Sequence, residues 1–208
     1  MKFSVIIPAH NSGDYAWRAL ESIKKQIFKD YELIVVCDAC TDDTRDLAKI
    51  YTDKVLEVDF HNDGLTRQAG VDIAEGDWIL FMDDDDRWLH DYVLSILDQA
   101  CDPSFDVIAF GFVFKGQGVV GPMMTTESLW PNVWSKAWRS DYCKRFRFKK
   151  VDMESDFVFC SEAIPGAKIR LIESPLYVYN YMRPGSQTEK ARRGSDDSKG
   201  LPSESALA

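Results

Sequence analysis

Trp78-Ile79-Leu80-Phe81-Met82-Asp83-Asp84-Asp85-Asp86 joins an unbroken apolar run to four carboxylates. A strand apolar at every position is one covered on both faces, as in a parallel sheet between two layers of helices. The acidic run then marks the carboxyl end of a buried strand, where open α/β sheets bind their ligands. Carboxylates crowded there repel one another unless a cation joins them. A hard divalent ion such as Mg²⁺ or Mn²⁺ takes oxygen ligands and leaves positions for substrate phosphates. The competing reading is a solvated acidic turn; the position at a strand end favours the cation site.

Outward from this junction, the first hundred residues alternate strand and helix patterns, as in an α/β domain with a largely parallel sheet. Residues 3–7 read as a strand stopped by Pro8. A helix over 15–26 carries Trp17, Leu20, Ile23 and Ile27 at helical spacing behind an Asp14 cap. Residues 31–37 form the second strand, a helix over 42–51 starts at a Thr41 or Asp42 cap, and 55–58 is a short third strand. The helix over 64–75 puts Leu65, Ala69 and Ile73 on one face and ends before Gly76. The fourth strand, 78–82, delivers the aspartates.

Beyond a helix over 91–100, residues 107–114 read as a strand and Gly116-Gln117-Gly118 as a turn. Between Trp130 and Phe148, Trp134, Trp138 and other aromatics alternate with Lys136, Arg139, Lys144, Arg145 and Arg147. Such a mixture is either packing with a solvated face or a binding surface. A helix over 156–164 capped by Ser155 precedes strands at 169–172 and 176–181. From about residue 189 the composition turns to Arg, Ser, Asp, Gly and Pro, which predicts a disordered tail over 189–208 without catalytic residues.

At 208 residues the chain supports one sizeable core. With 25 basic against 34 acidic side chains, its net charge of -9 argues against a nucleic-acid backbone as partner. A nucleotide whose phosphates meet a metal stays compatible. The amino-terminal stretch lacks the features of a secretory signal, and no stretch approaches the roughly 18 to 20 apolar residues of a membrane-spanning helix. The expectation is a soluble cytoplasmic protein, with peripheral attachment to the inner face of a membrane left open. Five cysteines, at 37, 40, 101, 143 and 160, are odd in number and scattered, as reduced thiols are. Cys37 and Cys40 form a C-x-x-C, but His10, His61 and His90 do not complete a zinc site.

In a parallel sheet the ends of the first, second and fourth strands open onto one edge, so their loops converge on one ligand. Asp38 ends a buried strand and offers an acceptor-only carboxylate, either to a base N–H or to a turn. Arg67, early in the third helix, either meets a diphosphate or holds an acidic neighbour.

Three segments, taken in order, resemble the family 2 glycosyltransferases of the GT-A fold. They are Ser4-Val5-Ile6-Ile7-Pro8-Ala9-His10-Asn11, Glu32-Leu33-Ile34-Val35-Val36-Cys37-Asp38-Ala39-Cys40-Thr41-Asp42-Asp43-Thr44, and Gly76-Asp77 leading into the 78–86 junction. The similarity continues at Trp134-Ser135-Lys136, Pro175-Leu176-Tyr177 and Arg183-Pro184-Gly185-Ser186. It implies a Rossmann-like, mostly parallel sheet flanked by helices in a single domain over 1–188. The nucleotide-binding part would span about 1–100 and the acceptor part about 101–188. The implied activity is inverting transfer of a sugar from a nucleotide-diphosphate donor, commonly a UDP-sugar, to a hydroxyl of a glycan, lipid-linked or other acceptor, assisted by Mn²⁺ or Mg²⁺.

Position by position, the resemblance makes Asp38 the reader of the nucleobase, while Pro8, Ala9 and Asn11 line the base and ribose pocket. Asp83, Asp84 and Asp85 match the D-x-D segment: Asp85 holds the metal, Asp83 contacts ribose or metal-bound water, and Arg67 helps position the diphosphate. The general base is commonly the aspartate of a Glu-Asp pair. In Met153-Glu154-Ser155-Asp156-Phe157-Val158-Phe159, Asp156 takes its place and Ser155 replaces the glutamate, with Glu154 the alternative. Cys37 is a second departure, standing where an acid is common. Trp134 and Trp138 would offer flat faces to an acceptor sugar, and a partner or second copy completing the acceptor site stays open. A nucleotidyltransferase would need a glycine-rich basic loop after the first strand, which residues 8–13 lack. A non-catalytic sugar- or nucleotide-binding module is the remaining alternative, favoured by Ser155.

Overall fold

The computed structural model describes residues 1–115, 131–151 and 154–180. Its strands are β1 (Phe3–Ala9), β2 (Tyr31–Asp38), β3 (Val55–Val58), β4 (Trp78–Phe81), β5 (Arg87–Trp88), β6 (Val107–Phe114), β7 (Lys136–Arg139) and β8 (Ile169–Tyr179). Its helices are α1 (Trp17–Lys24), α2 (Thr44–Tyr51), α3 (Asp63–Ile73), α4 (Val93–Ala100), α5 (Ser140–Cys143) and α6 (Ser155–Ala163). The turn at 116–118, the 183–186 segment, the tail from 189 and the domain limit at 188 lie outside the described residues.

All the strands join one sheet in the order β3-β2-β1-β4-β7-β6-β8-β5. β1 to β4 run parallel because each returns through a helix, as the alternating pattern predicts. β7 is antiparallel to β4 and β6, and β5 to β8, so the sheet is mixed beyond β4. β5 follows β4 closely in sequence yet lies four places away across the sheet. Laid flat, that is about 19 Å at about 4.8 Å per strand. The linking residues contain a turn closed by Asp86 N–H on the Asp83 carbonyl (3.2 Å), so they cannot stretch that far and the sheet curls. Tyr177 of β8 fastens the curl: its hydroxyl accepts from Asp83 N–H (3.1 Å) and donates to Asp86 Oδ2 (2.7 Å).

Several local expectations are corrected. Pro8 does not stop β1, which runs to Ala9. Ile6 accepts from Met82 N–H toward the β4 side, so two residues on Pro8 faces the same side, where β4 has ended and no donor is needed. α1 starts at Trp17 with no side-chain cap, not behind Asp14. Of Leu65, Ala69 and Ile73, expected to face inward on α3, Ala69 packs partly buried against the core and Ile73 is exposed, while the buried residues are Gly64, Thr66, Arg67, Gln68, Gly70 and Val71. Small residues permit this: a Cβ on Gly70 would lie 2.4 Å from Ile6 Cγ2, so only glycine lets the helix sit this low on β1. The two strands expected at 169–172 and 176–181 are one strand, with a bulge where Gly111 passes Pro175.

Among the described residues, no helix is long and apolar enough to cross a membrane. All five cysteines are free.

Candidate active site

The loops after β1, β2 and β3 each hold one non-glycine residue in the left-handed region: Asn11 (φ 47°), Ala39 (φ 49°) and His61 (φ 49°). The fourth such residue among those described, Glu154 (φ 64°), opens α6. Each conformation costs on the order of 1–3 kcal/mol, and such strain collects at ligand sites. Asn11 Oδ1 accepts from Thr41 N–H (2.8 Å), Ser12 N–H donates to Thr44 Oγ1 (2.7 Å) and Gly13 N–H to Asp42 Oδ2 (2.9 Å). The first two loops are thereby sewn into one wall, to which Pro8 and Ala9 contribute the end of β1. His10 Nδ1 donates to the Asp38 carbonyl (2.6 Å), which leaves Nε2 as the acceptor of its ring.

Asp38 closes β2 and is buried. Its Oδ1 accepts from Phe60 N–H (2.6 Å) and His61 N–H (2.9 Å), and its Oδ2 from Asn62 N–H (2.8 Å) and the Thr66 hydroxyl (2.8 Å). Burial raises its pKa, but these bonds outweigh it and hold the carboxyl below its ordinary value. Four internal donors fill a carboxylate's acceptor positions, so a base N–H would have to displace one of them.

Asp83, Asp84 and Asp85 are partly buried at the end of β4, and Asp86 is fully buried. Burial, and then neighbouring charges, push Asp83 up to about 6 despite Arg67, and burial with Asp85 pushes Asp84 up to about 7. Burial also raises Asp86 well above its ordinary value, and it serves the fold through Tyr177 and the Asn180 N–H (2.6 Å). No group of three His, Cys, Asp or Glu side chains among the described residues forms a metal cage. The residues nonetheless fit an ion that takes one or two carboxylates and completes its shell with phosphates and water. Carboxylates driven toward protonation by burial and each other are the donor set a cation would relieve.

Arg67 links this acidic run to the start of α6. It is 6% exposed, and its burial comes from the inward turn of α3. Nη2 donates to Asp83 Oδ1 (2.8 Å) and Nη1 to Asp63 Oδ2 (2.8 Å), and Nη1 stands 3.4 Å from Asp156 Oδ1. Burial alone would lower the pKa of the guanidinium, but Asp156, Asp83 and Asp63 raise it and keep it charged. Asp156 Oδ2 accepts from Val133 N–H (3.2 Å), while Oδ1 is buried without a hydrogen bond among the described residues. Glu154 is exposed, and its side chain does not cap α6.

Trp134 and Trp138 do not offer faces to a sugar, a correction to the expectation. Trp138 is 0% exposed, edge-on to Phe159 with Nε1–H on the Val133 carbonyl, and Trp134 stacks against Tyr177 (4.6 Å) and Tyr179 (5.0 Å). Nearby Lys136 is buried with Nζ on the Asn132 carbonyl (2.6 Å), and burial pushes it down to about 8. Asp63, Asn62 and the role of Tyr177 were not assigned from the sequence, although Asp63 left a signal in its i,i+4 spacing to Arg67 and Tyr177 lies in the Pro175-Leu176-Tyr177 match.

The family described as Glycosyl transferase family 2 matches residues 4–163. The chain belongs to that family. Poly(ribitol-phosphate) beta-N-acetylglucosaminyltransferase TarS of Staphylococcus aureus is 38% identical over 94 residues, 41% of this family 2 chain and 16% of TarS. The chain thus spans only a small part of that relative. The structure of S. aureus TarS 1-349 in complex with UDP-GlcNAc superimposes with a TM-score of 0.81 at 26% identity, covering 91% of this chain and 61% of that one. Mannosyltransferase PcManGT from Pyrobaculum calidifontis, solved with GDP-Man and Mn²⁺, shares the fold with a TM-score of 0.74 at 15% identity, over 97% of this chain and 66% of that one. The fold of this family 2 chain is GT-A.

Proposed function

We propose that this family 2 chain transfers a sugar from a nucleoside-diphosphate donor of the UDP type to a hydroxyl acceptor, inverting the anomeric carbon. The observation that carries this reading is Arg67, whose single guanidinium touches Asp83 at the end of β4 and approaches Asp156 in the first turn of α6. A diphosphate end and a candidate base thereby belong to one charge cluster. The UDP-GlcNAc held by TarS supports a uridine donor.

Residues 8–13, 38–42 and 60–62 wall the base and ribose pocket, with Pro8, Ala9 and Asn11 presenting it mainly backbone. Asp38 holds the 60–62 wall in place. Asp85 and Asp83 would hold Mn²⁺ or Mg²⁺, with Asp84 beside them, and the ion when bound would supply Lewis-acid neutralisation of the leaving diphosphate. Arg67 keeps Asp83 and Asp156 oriented. Asp156 takes the proton of the acceptor hydroxyl as its oxygen bonds to the anomeric carbon. The bond from that carbon to the diphosphate oxygen breaks on the opposite face. Asp156 is preferred to Glu154 because it lies inside the cluster. Positioning and fixed charge supply most of the acceleration.

The test is UDP release from UDP-GlcNAc with Mn²⁺ present and water standing in as the acceptor hydroxyl, in the wild type and in Asp156→Asn. The variant should lose roughly 10²–10⁴-fold in kcat and keep its affinity for UDP. An unchanged kcat would remove Asp156 from the reaction.

A further inference from the structure

Arg67 Nη1 is contested. It gives 2.8 Å to Asp63 Oδ2 and 3.2 Å to Ser155 Oγ, and only a 3.4 Å approach to Asp156 Oδ1. The Ser155 hydroxyl in turn donates to Asp63 Oδ2 (2.9 Å). Asp63 is itself anchored, with Oδ1 accepting from Gly64 N–H (2.9 Å). The two helix starts meet closely enough for this only because residue 64 is glycine: a Cβ there would lie 2.7 Å from the Lys149 carbonyl and 3.1 Å from Ser155 Cβ. The start of α3 therefore grips the start of α6 one residue before Asp156.

We propose that Asp63 is a positioning residue for transfer, acting through Arg67 and Ser155 to hold the Asp156 carboxylate in place and its Oδ1 free of a close guanidinium bond. This rests on the reading of Asp156 as the base. Asp63 Oδ2 occupies the donor that the buried Asp156 Oδ1 would otherwise take, so no close guanidinium bond neutralises the carboxylate and it stays available as a base. Ser155 carries the same restraint to the α6 backbone. Among the described residues, the other charged or titratable groups facing Asp156 are Asp83, Lys136 and Cys160, and none of them is paired with Asp63.

In Asp63→Asn the amide oxygen can still accept from Gly64, but the side chain no longer offers Arg67 a charged acceptor, so Nη1 closes on Asp156. The experiment compares Asp63→Asn and Ser155→Ala, each alone and combined with Asp156→Asn. Kinetics of UDP release from UDP-GlcNAc with Mn²⁺ are measured beside calorimetric binding of UDP. Asp63→Asn should lower kcat by roughly tenfold to a hundredfold, as expected when a reacting group is misplaced, with KM and UDP affinity within about twofold. Ser155→Ala should follow in the same direction with a smaller loss. Neither should lower the residual rate of Asp156→Asn, because residues acting as a unit are not additive. Equal losses with and without Asp156, or a loss confined to KM, would show Asp63 to be structural only and overturn the proposal. Wild type that binds UDP but releases none from the donor would overturn the transfer reading itself.

Discussion

Arg67 Nη2 lies 2.8 Å from Asp83 Oδ1, and that pair joins the buried face of α3 to the acidic end of β4. The same guanidinium pairs with Asp63, so Arg67 is the shared counter-charge of Asp63 and Asp83. Removing one partner of a buried ion pair strands the others. Arg67→Ala should destabilise the protein by about 3–5 kcal/mol, read as a lower midpoint in urea unfolding. Arg67→Lys should recover only part, since one ammonium cannot copy a forked pair of N–H groups.

Asp83 and Asp84 give the protein without added metal a pH dependence of definite sign. Their folded pKa values, about 6 and about 7, stand above the ordinary 3.8. Between those limits the folded state binds more protons than the unfolded state, so stability falls as pH rises. The contribution is fully present below about pH 4 and lost by about pH 7, the window of those two pKa values. Thermal melts from pH 5 to 8 in chelator should show the decline, and Mn²⁺ should reverse it most at the alkaline end.

Asp38 supports the 60–62 wall with both oxygens. Asp38→Ala would leave three backbone N–H groups without their acceptor, at roughly 1–3 kcal/mol for each group that stays buried. UDP affinity and the urea midpoint should fall together. A variant of normal stability that loses UDP binding alone would instead assign Asp38 a direct contact with the base.

Gly70→Ala tests the inward seat of α3. Its methyl would fall on Ile6, and overpacking of that kind costs about 1–3 kcal/mol. Because α3 carries Arg67, kcat should drop along with the unfolding midpoint.

The alternation of strand and helix was legible because β1, β2 and β4 are dominated by buried apolar residues, with Ser4 and Glu32 the buried polar exceptions near the strand starts. The convergence of the Asp38 and Asp83–Asp86 ends on one edge followed from parallel topology. What stayed hidden depends on contacts between distant segments. Apolar periodicity selected Leu65, Ala69 and Ile73, whereas the buried face of α3 is set by how closely Gly64 and Gly70 let it approach. The alternation of aromatic and basic residues around β7 left packing and a binding surface both open, and the acceptor role of Trp138 rested on the family resemblance. Pairing with both β4 and β6 is what buries that tryptophan. The Tyr177 bond to Asp86 spans 91 positions, and no local pattern records it.

The most direct test of a metal-assisted nucleotide-sugar site is calorimetric titration of UDP, with Mn²⁺ and with chelator, into the wild type and Asp85→Ala. UDP binding should require Mn²⁺ and be lost in the variant. Binding indifferent to both metal and substitution, or no binding of UDP, GDP or dTDP under any of these conditions, would contradict such a site.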